Sequence, residues 1–117
     1  MTPVKHNLSA IKGEFITLTI GYNGTVETED LFSCVRKFAQ DEQYRAKFNI
    51  EVSKDNLTAD ESCRIILSLD TNELHAGRYA WDLFIWAGSR PIKCLVKGQL
   101  TILEGVSTVS YTHLTLP

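Results

Sequence analysis

Leu74-His75-Ala76-Gly77-Arg78-Tyr79-Ala80-Trp81-Asp82-Leu83-Phe84-Ile85-Trp86 is the stretch that decides the fold. Its first residues, up to Gly77, read as a tight turn that feeds a long aromatic strand. At period two, Tyr79, Trp81, Leu83 and Ile85 share one face, and Arg78, Ala80, Asp82, Phe84 and Trp86 share the other. A second alternating run, Ile92 to Ile102, follows after Ala87-Gly88-Ser89-Arg90-Pro91. The two runs predict a β-hairpin, and an antiparallel sandwich is where such a hairpin buries its apolar face.

Working outward, Phe15-Ile16-Thr17-Leu18-Thr19-Ile20 is a β-branched alternating strand with Ile16, Leu18 and Ile20 inward. Asn23-Gly24 carries the signature of a type I′ turn. Leu31 to Phe38 reads as a strand, Ala39 to Ala46 as a polar loop or short helical turn, and Phe48, Ile50 and Val52 as alternate positions of a further strand. Cys63-Arg64-Ile65-Ile66-Leu67-Ser68-Leu69 predicts a strand with Cys63, Ile65, Leu67 and Leu69 inward, ending in the turn residues Asp70-Thr71-Asn72-Glu73. No long helical periodicity interrupts the series. The pattern therefore predicts an all-β fold, an immunoglobulin-like antiparallel β-sandwich of about seven strands.

A chain of 117 residues, 44% hydrophobic and 22% charged, fits one globular domain with a single core. A net charge of −2 speaks against nucleic acid as a partner, because phosphate neutralisation needs a basic surface. No apolar run approaches the roughly 20 residues that span a bilayer, so no membrane partner is expected. The first residues, Met1 to Asn7, lack the apolar centre of a signal peptide. The expected domain covers residues 1–107. Residues 108–117, ending in Tyr111-Thr112-His113-Leu114-Thr115-Leu116-Pro117, resemble a translated adapter read-through and are expected to be non-native; the alternative is an extra strand.

Catalytic, cofactor and metal chemistry find no footing. His6, His75 and His113 are isolated, and no nucleophile elbow or glycine-rich phosphate loop occurs. Cys34, Cys63 and Cys94 form no C-x-x-C pair, and Cys63 and Cys94 share the parity of apolar neighbours, which predicts core thiols. No enzyme is expected, and no cofactor.

Tyr79 follows Gly77 by two residues, the spacing of a tyrosine corner. Trp81 then stands where a disulfide-stapled sandwich domain has its second cysteine, so an aromatic plug replaces the staple. Gly77, Tyr79 and Trp81 are thus assigned structural roles, with core packing preferred over a sugar-stacking platform. Asp82, Phe84 and Trp86 lie on the opposite face and form the candidate interaction face. Either another chain or ligand covers them, or a loop of the same chain does.

From Lys12 to Ile102 the chain resembles a group of small immunoglobulin-like proteins of tailed bacteriophages. The resemblance rests on Lys12-Gly13-Glu14-Phe15-Ile16, on Ile66-Leu67-Ser68-Leu69-Asp70-Thr71 with Leu74 and Gly77-Arg78-Tyr79-Ala80-Trp81-Asp82-Leu83, and on Cys94 to Ile102 with Leu103-Glu104-Gly105-Val106-Ser107 behind it. It implies a virion structural or accessory role in the tail or baseplate, like the N-terminal modules of baseplate upper proteins. Such a module mediates protein–protein assembly or anchors a receptor-binding part. The implied partners are other virion proteins or a second copy, and the implied location is the virion, assembled in the host cytoplasm. A carbohydrate- or cell-surface-binding immunoglobulin-like module, with a glycan as ligand, is the rival reading.

Overall fold

Alternation of β-branched and aromatic residues with polar ones builds nine strands, separated by turns and two single 3-10 turns. They are β1 (Val4–Lys5), β2 (Leu8–Ile11), β3 (Phe15–Tyr22), β4 (Leu31–Arg36), β5 (Ala46–Lys47), β6 (Asn49–Ser53), β7 (Cys63–Asp70), β8 (Gly77–Ala87) and β9 (Arg90–Leu103). The computed structural model describes residues 3–55 and 57–104, so the expectation for residues 108–117 lies outside the described residues.

Two sheets face each other. One runs β1/β2-β9-β8-β4-β5 and the other β3-β7-β6. Successive strands β3, β4, β6, β7, β8 and β9 therefore divide between sheets as the B, C, D, E, F and G strands of an immunoglobulin domain do. The fold is an all-β, immunoglobulin-like sandwich. Seven of its strands have four residues or more, and β1 and β5 have two each.

The core lies between the sheets. Ile65, Leu67 and Leu69 of β7, Trp81 and Leu83 of β8, Val35 of β4, Leu100 and Ile102 of β9, and Phe48 are all at most 2% exposed. Each such side chain contributes roughly 1.5–3 kcal/mol by leaving water. The predicted parities of β7 and β8 hold: Cys63, Tyr79 and Trp81 point inward, and Ile85 packs partly buried against the same cluster. Ile16, Leu18 and Ile20 also face this core but are only half-buried.

Several expectations are corrected. Asn23-Gly24 does not close a hairpin: β3 pairs with β7 and β4 with β8, so this segment carries the chain from one sheet to the other. Gly24 has no positive φ, and the Tyr22 ring lies against it. The strand expected to reach Phe38 ends at Arg36; residues 39–45 form a loop of turns and bends, the first of the two readings expected there, and Ala46 already belongs to β5. The N-terminal strands were not anticipated, and β1 and β2 pair parallel with β9, an exception in an otherwise antiparallel molecule. Cys94 is not a core thiol. Leu83 pairs with Val96 and Phe84 with Cys94, so a β-bulge at Leu95 shifts the register by one. The shift turns Cys94 to the outer face, half-buried, and Leu95 packs against the core instead.

The hairpin of β8 and β9 closes tightly, with Ala87 paired to Arg90 and Gly88 at φ +64. That backbone region favours glycine.

Candidate functional site

Pleating sends alternate residues of β8 outward, and hydrogen-bonded neighbours share a face. Asp82 is paired with Cys34 on β4 and Lys97 on β9, Phe84 with Phe32 and Cys94, and Ala80 with Arg36 and Gln99. Asp82, Phe84 and Trp86 thus lie on one surface, the outer face of the six-stranded sheet. All three are half-buried.

Asp82 holds the centre. Its Oδ2 accepts from Arg36 Nη1 at 3.0 Å, with both side chains about one-fifth exposed (20% and 19%). Cys34, fully buried, places its Sγ 3.8 Å from Asp82 Oδ1. The buried Ser33 hydroxyl donates to the Asp82 carbonyl at 2.6 Å. Burial raises the Asp82 carboxyl above the usual carboxylate range, against the opposing pull of Arg36 and the Cys34 hydrogen bond. Burial, with the Asp82 charge second, pushes the Cys34 thiol up to about 11. Burial and then the same charge raise Cys94. Thiols raised in this way stay protonated at neutral pH and are poor nucleophiles.

Toward the hairpin end the surface becomes aromatic. The Phe32 ring meets Trp86 edge-on at 5.8 Å and 71°, and Tyr44 at 5.8 Å and 72°. Lys47 Nζ sits 5.1 Å from the Phe32 centroid. The Trp86 indole nitrogen is buried and has no hydrogen-bond partner among the described residues. Neighbours within the chain therefore cover Trp86 in part, while Tyr44 and Phe38 remain about half exposed. Sequence reasoning missed Phe32 and Tyr44. Phe32 shares the parity of Cys34 and Arg36, which could have placed it; Tyr44 belongs to a loop with no periodic signal.

The opposite end is a groove of about 820 Å³, lined among others by Lys37, Phe38, Arg78, Asp82, Phe84 and Lys97. Outward strand positions of the whole face carry five basic groups (Lys5, Arg36, Lys47, Arg78, Lys97) against one acidic group, Asp82. The chain as a whole has a net charge of −2. This face is therefore positive on an otherwise acidic protein.

The structural residues sit behind that face. Gly77 has φ +149 at the start of β8. The Tyr79 hydroxyl donates to the His75 carbonyl at 2.7 Å, closing the tyrosine corner across the turn. Trp81 is 1% exposed, lies 5.6 Å from the Phe48 ring, and its Nε1 donates to the His6 carbonyl at 2.9 Å. Among the described residues no helix is long and apolar enough to cross a membrane. Comparison of the sequence with models of known families and with curated proteins gives no significant match.

Proposed function

We propose that this chain is a structural or accessory module of a tailed-phage virion, acting in the tail or baseplate by docking other virion proteins. Its docking surface is the outer face of the six-stranded sheet. The observation that carries the reading is the composition of that face: half-buried aromatics Phe32, Phe84 and Trp86 beside five outward basic groups, on a rigid strand scaffold. Aromatic anchors with flanking charge are the composition of protein interfaces, and an acidic partner surface complements this one. The sequence resemblance supplies the phage context, and assembly in the host cytoplasm follows from it. The aromatics meet edge-on instead of lying open as a flat platform, which favours a protein partner over a sugar ring.

The test is co-expression with tail and baseplate proteins of the same genome, comparing the parent with the double variant Phe84→Ser/Trp86→Ser. Loss of two anchors weakens association by about 2 kcal/mol or more, roughly 30-fold, while circular dichroism stays that of a folded sandwich. Unchanged co-assembly by a folded double variant sinks the proposal.

A further inference from the structure

Among the described residues, β3 pairs with β7 alone, so one side of the strand is an open sheet edge. Open edges attract other strands, and folded proteins guard them with short length, charge or proline. The other edges here follow that rule. The edge strand β5 has two residues and carries Lys47, β6 carries Glu51, and β1 and β2 are short, with Lys5 on β1. β3 does not: Phe15-Ile16-Thr17-Leu18-Thr19-Ile20-Gly21-Tyr22 is eight residues long, without charge, proline or bulge.

Two further observations point to a missing neighbour. The core-facing Ile16, Leu18 and Ile20 are only partly buried, whereas Ile65, Leu67 and Leu69 beside them on β7 are at most 1% exposed. Phe15, at the strand's start, is 64% exposed. The backbone is also poised. Glu14 accepts a hydrogen bond from Thr71 at 3.2 Å, so the alternating ladder turns the even-numbered residues toward β7. The amides and carbonyls of Phe15, Thr17, Thr19 and Gly21 then point out of the open edge.

We infer that β3 pairs with β3 of a second copy, antiparallel across a two-fold axis, joining the two three-stranded sheets into one six-stranded sheet. The edge is complementary to itself. With Leu18 on the axis, Thr17 faces Thr19 of the other copy and Phe15 faces Gly21, while Ile16, Leu18 and Ile20 of both copies stay on the core side. No like charges meet, because the strand has none. The inference is independent of which partner docks on the sheet of β8, since that face lies across the sandwich.

Sedimentation of the full chain tests it. The expected result is a monomer–dimer equilibrium between low-micromolar and near-millimolar concentration. Thr19→Lys, which puts a charge on the solvent side of the edge, raises the dissociation constant about tenfold or more with the fold kept. Glu51→Lys, on the edge strand at the far side of the same sheet, leaves the dimer intact. A monomer at every concentration overturns the inference and assigns the edge to another segment or another protein. So does a dimer that Thr19→Lys leaves unchanged, or one that Glu51→Lys abolishes.

Discussion

Asp82 is where local chemistry and the proposed surface meet. Its carboxylate is paired with Arg36 at 3.0 Å, yet burial outweighs that attraction and raises its pKa. A carboxyl with a folded pKa above its unfolded value binds protons more readily in the folded state. Its contribution to stability is therefore greatest below the unfolded pKa, and falls as pH rises through the raised folded pKa. Comparing urea unfolding of the parent and Asp82→Asn between pH 7 and pH 4 checks the sign. The parent gains stability relative to the variant as pH falls; a difference that is flat or opposite in slope contradicts the balance described. Side-chain parity made Tyr79, Trp81 and the outward set of Asp82, Phe84 and Trp86 legible in the sequence. Cys94 was not, because one bulged residue in β9 reverses the parity on which that reading depends. Thr71, fully buried, was legible as turn chemistry but not as the hub it is. Its hydroxyl accepts from Gly13 N at 2.8 Å and donates to the Glu14 carbonyl at 2.6 Å, tying the turn before β3 to the end of β7.

Among the elements, β3, β7 and β8 announced themselves by long, regular alternation. β1 and β2 did not, since they are short and broken at His6-Asn7. What holds them is β9, near the far end of the chain, a non-local pairing that no sequence window contains. Gly98 makes the junction possible. It pairs with Trp81, and a Cβ there would stand 1.9 Å from the His6 carbonyl oxygen. That same oxygen accepts the Trp81 indole N–H, and Asn7 Oδ1 accepts from Gln99 N at 3.0 Å. Gly98→Ala must push the β1–β2 connection off and leave the buried indole N–H without its acceptor. The expected loss is about 1–3 kcal/mol in chemical denaturation. A loss within ~0.5 kcal/mol, the scale of an ordinary surface substitution, would mean that the connection yields freely.

For the whole molecule, two sheets divide the labour. The three-stranded sheet carries an unguarded edge, and the six-stranded sheet carries a positive, partly aromatic face on a chain of net charge −2. Composition gave that net charge but not its distribution, which depends on strands brought together from both ends of the sequence. The sandwich itself was legible because turn signals and alternation recur along the chain; which residues meet on its outer face was not. The central claim is that this face serves assembly of a phage tail or baseplate, and its genomic setting tests that most directly. Long-read sequencing of the parent DNA on both sides of this reading frame should find tail and baseplate genes as its neighbours. A frame flanked by no virion genes would contradict the account and bring the glycan-binding module forward in its place.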